Sequence, residues 1–187
     1  MQISQFDAVS FFGQFNSESG PMNHAQLQPI LEFTLLWNLF ERELGNRSMS
    51  LKTIKNIVDI CESRGDLDSL DVDPYVEFFR DRYPRFSEEG FLAQRLEPMA
   101  FREGGRTMNN VNLFRKVLDG ELVDRPNVVY SLLFVAYRMR NNLFHGEKDI
   151  SLLHLQEDLF NAMNTFISKF LVATVRQISE QCAAPQI

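Results

Sequence analysis

Apolar residues return at intervals of three and four along most of this 187-residue chain, and glycines or prolines interrupt them. That spacing belongs to helices that bury one face. From Leu27 to Leu44 the positions Leu31, Leu35, Leu39 and Phe40 mark such a face, and Gly45 stops the segment. From Leu51 to Arg64 the positions Ile54, Ile57, Val58 and Cys61 do the same before Gly65. Asp73 followed by Pro74 reads as the cap and first turn of a third helix, which runs to Tyr83 and ends at Pro84. Further helices are predicted over Asn112–Leu118 up to Gly120, Pro126–Phe144 up to Gly146, and Ser151–Glu180. Between them, residues 84–108 hold Pro84, Gly90, Pro98, Gly104 and Gly105, which predicts an irregular excursion with a short helix near Phe91–Leu96. Neither a strand pattern nor a repeat is present. The reading is an all-α bundle with a long C-terminal helix, one domain over 27–180, an N-terminal extension over 1–26 and a tail over 181–187.

The last helix has apolar residues at 152, 155, 159, 163, 166 and 170, and a second set at 153, 160, 167, 171 and 178. At 1.5 Å per residue its 30 residues would extend about 45 Å, more than a small bundle needs. The wide face therefore suits a long core helix or a surface that covers a partner subunit. Trp37, between Phe33, Leu36 and Phe40, reads as a core anchor in preference to a stacking platform.

Composition narrows the class. Forty-four per cent hydrophobic residues with 17 phenylalanines exclude wholesale disorder, and no apolar run reaches the roughly 18 residues of a membrane span. The opening Met1-Gln2-Ile3-Ser4-Gln5-Phe6-Asp7 lacks the basic end and apolar stretch of a secretory signal, so a cytoplasmic location is expected. Cys61 and Cys182 stand far apart with no companion at ligand spacing, and His24 and His154 also lack one. Asp66, Asp68, Asp71, Asp73 and Glu77 fail as a calcium loop, because Leu70, Asp71 and Pro74 occupy its fifth, sixth and ninth positions. No metal and no cofactor are expected.

The net charge of -6 argues against nucleic acid only until its distribution is counted. Residues 1–79 carry -7, residues 80–148 carry +3 and residues 149–187 carry -2. On charge alone an ordinary mixed surface is the better reading, but a local arginine cluster still grips phosphates within an acidic whole.

The chemistry-bearing stretch is Tyr137-Arg138-Met139-Arg140-Asn141-Asn142-Leu143-Phe144-His145-Gly146. Histidine moves protons near neutral pH, and arginine holds a planar positive fork against a phosphate that gains charge. An Arg-to-His spacing alone is weak evidence, so helical phase has to sharpen it. Val129, Leu132, Ala136, Met139 and Leu143 follow steps of three and four and define an inward stripe. At about 100° per residue, Arg140 falls about 40° from Ala136 and Arg138 about 200° away, facing solvent. A guanidinium at the edge of an apolar stripe needs a carboxylate, a wet cleft or a subunit interface. An unbroken helix would put His145 about 140° from Arg140, so either Gly146 redirects the chain or a dimer brings the two together. A salt bridge or cap at the helix end is the plain alternative for both residues.

Arg140-Asn141-Asn142-Leu143-Phe144-His145-Gly146, late in an all-helical chain and before a long helix, resembles the motif of the HEPN superfamily: Arg, a polar residue, a short gap, then His. The resemblance covers the helices from about Leu27 to Glu180. It implies a metal-independent endoribonuclease, dimeric, of the kind found in toxin-antitoxin and phage-defence systems. By that analogy His145 is the general acid or base, Arg140 steadies the phosphate and Asn141 orients the site. Separately, a two-fold interface would let the local positive charge act twice, with both copies of Arg138 and Lys148 binding one RNA strand. A 2′-hydroxyl would attack and leave a 2′,3′-cyclic phosphate. Some members add an acidic or polar side chain from the first helix, for which Glu41 is available. One subgroup, paired with an antitoxin that modifies a tyrosine two positions past the histidine, is not matched, because that position is Glu147. A noncatalytic HEPN module that binds RNA, a nucleotide or a protein partner is the alternative, and a helical adaptor unrelated to RNA a third.

Overall fold

The computed structural model describes Asp7, Val9 and residues 23–83, 105–144 and 156–183, with side chains in 109–144 and 156–175 for the last two stretches. Within them the chain forms six helices: α1 His24–Leu44, α2 Leu51–Arg64, α3 Asp73–Arg82, α4 Gly105–Leu118, α5 Arg125–Phe144 and α6 Glu157–Ala183. There is no strand among the described residues, and the architecture is an all-α bundle.

Local signals explain most boundaries. Asn23 and Gln26 form a reciprocal capping box at the start of α1. Ser50 accepts from the Thr53 N–H to open α2. Gly65 closes α2 at φ 76°, where the Asp66 N–H reaches the Cys61 carbonyl and the Gly65 N–H the Glu62 carbonyl. Asp73 differs from its expected role. It is the first residue of α3, and the cap is Val72, which has no side-chain hydrogen bond, so Asp73 contributes as a first-turn anion beside Pro74. Helix α4 also begins earlier than expected, at Gly105, which shortens the predicted 84–108 excursion from its C-terminal end. The predicted short helix at 91–96 and the 151–155 start of the last helix, with His154, lie outside the described residues.

Two helical faces differ from the expected ones. In α1 the core side is Leu27, Ile30, Phe33, Trp37 and Phe40, whereas Leu31 and Leu35 are 55% and 72% exposed. Both sets have helical spacing, and the one carrying the aromatic rings won because it buries more area per residue. In α5 every residue from Val128 to Ala136 is buried, so the helix has no solvent side over that length. It packs against α2 and α4 and meets α1 through Trp37 and Tyr137, whose rings lie 6.2 Å apart.

Helix α6 is the other spine. Leu159, Phe160, Met163, Phe166, Ile167, Phe170 and Leu171 are all buried in a single copy of the chain, so this part of the wide apolar face is taken up by its own core, and positions 152, 153, 155 and 178 lie outside the residues whose side chains are described. Phe33 meets Phe160 edge to face at 5.4 Å, Phe40 meets Phe170 at 6.0 Å, and Tyr75 of α3 meets Phe166 at 5.3 Å. These aromatic contacts tie both α1 and α3 to one helix. Arg82 adds an ion pair to Asp158 at the start of α6. No helix among the described residues is long and apolar enough to cross a membrane.

Candidate functional site

The C-terminal parts of α1 and α5 meet through two side-chain contacts. As α1 advances from Trp37 to Glu41, α5 advances from Tyr137 to Arg140, and the ring contact at the first pair is followed by an ion pair at the second. Arg140 Nη2 lies 3.7 Å from Glu41 Oε1, with the two side chains 30% and 20% exposed. The inward phase of Arg140 thus finds the carboxylate that a half-buried guanidinium requires.

Three further features define the arginine. Its Nη1 donates to Asn141 Oδ1 at 3.1 Å. Its Cζ lies 5.2 Å from the centroid of the Phe144 ring, a cation–π contact that holds the guanidinium plane. Its Nε is buried with no hydrogen-bond acceptor. The Glu41 contact is longer than a hydrogen bond, so the carboxylate orients the arginine by charge; the buried Nε faces protein, and the terminal N–H groups not given to Asn141 are the ones an oxyanion could take. A fork anchored on three sides with N–H groups to spare can take an oxyanion.

Arg138 departs from expectation. It is intermediate in exposure, not a free surface arginine, and has an interaction of its own. The face opposite the Ala136 stripe does not open to solvent, because every residue of α5 from Val128 to Ala136, just before Arg138, is buried. The same enclosure accounts for Asn142, which is 1% exposed although the sequence reading gave it no role. Its i+7 relation to Val135 on a helix buried all round is the signal that could have found it. Thus Arg140, Asn141 and Glu41 are brought together, whereas His145, Lys148, Glu147 and the turn expected at Gly146 lie outside the described residues.

Elsewhere, Trp37 is 2% exposed inside an aromatic cluster with Phe33 and Phe40, as a core anchor should be. Cys61 is buried, and desolvation together with the nearby Asp66 carboxylate pushes its thiol up to about 11, which makes it unreactive near neutral pH. Asp66 is itself 1% exposed, with neither carboxylate oxygen hydrogen bonded; Arg125 instead donates to the Leu67 carbonyl of the same loop, at 2.9 Å. Among the described residues, no three His, Cys, Asp or Glu side chains converge as metal ligands.

Compared with protein-family models, curated proteins and solved structures, the chain matches none, so its function has to be argued from the Arg140 site itself.

Proposed function

We propose that this protein is a HEPN-type endoribonuclease that cleaves RNA without a metal, with Arg140, Asn141 and His145 as its catalytic groups. The observation that carries the reading is the state of Arg140: it lies one turn before the end of α5, is about one-third exposed, and is oriented by Glu41, Asn141 and Phe144.

In the proposed reaction the 2′-hydroxyl of one ribose attacks the adjacent phosphorus. His145 takes that proton or delivers one to the departing 5′-oxygen, and the products are a 2′,3′-cyclic phosphate and a 5′-hydroxyl. Charge builds on the non-bridging oxygens, where the Arg140 fork faces it, a contribution worth on the order of 10²- to 10³-fold in rate. Glu41 keeps the fork in place. In a homodimer both copies of the site would share one cleft, and Arg138 and Lys148 would add charge along a single strand despite the acidic whole. A toxin-antitoxin or phage-defence setting, with an antitoxin or other regulatory partner, fits such an activity.

Incubating purified protein with mixed RNA, beside His145→Ala and Arg140→Ala variants, tests the reading. Cleavage by the parent that ends in cyclic phosphate and is lost in both variants is expected. Binding of RNA with no cleavage by any of the three would favour the noncatalytic HEPN module. Cleavage abolished by EDTA and restored by magnesium would replace the metal-free mechanism.

A further inference from the structure

Six large apolar side chains are prominently exposed among the described residues: Leu31, Leu35, Ile60, Val123, Phe144 and Val172. Phe144 alone is aromatic, and it alone lies against the candidate site. It is the last residue of α5 and 57% exposed, with the Arg140 guanidinium over its ring at 5.2 Å. An exposed phenylalanine at a helix end is ordinarily a cost in apolar surface left in water. Here the ring is held from below by a cation that is itself fixed by Glu41 and Asn141, so the platform is rigid before anything lands on it.

Resting on the ribonuclease reading of Arg140, we propose that Phe144 is a nucleobase platform: a base flanking the phosphate at Arg140 stacks on the solvent face of the Phe144 ring. Every base offers a π-face, so stacking of this kind accepts any sequence and selects single strands over duplex, whose bases are already stacked. The platform and the fork belong to one rigid unit one helical turn apart, so a base on the ring sets the position of its neighbouring phosphate relative to the guanidinium. Phe144 is therefore a positioning residue for unpaired RNA.

The test uses a short single-stranded 2′-O-methyl RNA oligonucleotide, which lacks the attacking hydroxyl and cannot be cut, titrated into full-length protein. Phe144→Ala and Phe144→Leu should both bind roughly ten- to hundredfold more weakly, the leucine being apolar but unable to stack. Phe144→Trp should retain affinity, and its emission should be quenched by the oligonucleotide. The native Trp37 is only 2% exposed and so supplies a quiet background. A hairpin duplex of the same composition should bind the parent more weakly and lose little in Phe144→Ala. Phe144→Leu binding as well as the parent, or Phe144→Trp binding without quenching, would overturn the platform while leaving RNA binding intact. A parent protein that binds no oligonucleotide would overturn the ribonuclease reading as well. Loss of dimer mass in Phe144→Ala at unchanged oligonucleotide affinity would instead assign the ring to a subunit contact.

Discussion

Arg140 has a short reach and many constraints, and that combination makes its variants informative. Arg140→Lys retains the charge but loses the planar fork and the stacking on Phe144, so it should recover little of the activity lost in Arg140→Ala, a loss of about 100-fold or more. Arg138→Ala should stay within a few-fold of the parent, because in the proposed mechanism it adds charge and does not hold the reacting phosphate. Equal losses at the two positions in a cleavage assay would reverse the assignment. Glu41→Gln separates orientation from charge: it relaxes the hold on Arg140 and removes a carboxylate 3.7 Å from it. Turnover should fall by about tenfold while RNA binds more tightly, a split between kcat and KM that a purely structural residue would not give.

The buried thiol offers a second test at this scale. The Cys61 thiol is raised from an ordinary 9.0 to about 11, and burial raises Tyr130 in the same direction. A folded state that holds its protons more tightly than the unfolded chain has its full stability below pH 9 and loses it as pH climbs through 11. Urea unfolding should therefore weaken by about 2–3 kcal/mol from Cys61 between those limits, and Cys61→Ala should flatten that decline. In a Cys182→Ser background, Cys61 should react with a thiol reagent only on unfolding. Reaction at native rates near pH 8 would show that the α2 face opens.

At the scale of the helix, the question is which of two apolar stripes faces the core. Both Phe33 and Leu35 lie on α1, one fully buried and the other 72% exposed. Phe33→Ala should cost about 3–5 kcal/mol by removing its packing on Phe160, whereas Leu35→Ala should stay within about 0.5 kcal/mol. Chemical denaturation of the two variants gives the comparison directly. Spacing pointed to Leu31 and Leu35 as part of the buried face; the aromatic partners that turned the helix the other way, Phe160 and Phe170, are more than 100 residues away in sequence. Helix ends were more legible. Gly65 sits at φ 76°, a conformation that costs any residue with a Cβ, and that requirement is local enough to be written in a single letter.

For the molecule as a whole, the aromatic spine of α6 changes the argument for assembly. Over its described side chains the wide face is buried within one copy, so the proposed homodimer rests on the site, where two half-buried arginines in one cleft would complete a composite centre. Sedimentation at micromolar concentration should give about twice the 21.7 kDa chain mass. A monomer that cleaves RNA at full rate would defeat the composite site.

The six helices among the described residues, most of their ends, the all-α class and the inward phase of Arg140 were determined by the sequence itself, since each depends on residues within a few turns of one another. Only the tertiary structure decided that Glu41 meets Arg140 and that α5 is enclosed on all sides. It also decided that Arg138 and Asn142 are drawn inward and that Leu31 and Leu35 are left outside. Those outcomes depend on which helices become neighbours, and that is set by the summed burial of side chains far apart along the chain, which no local period encodes.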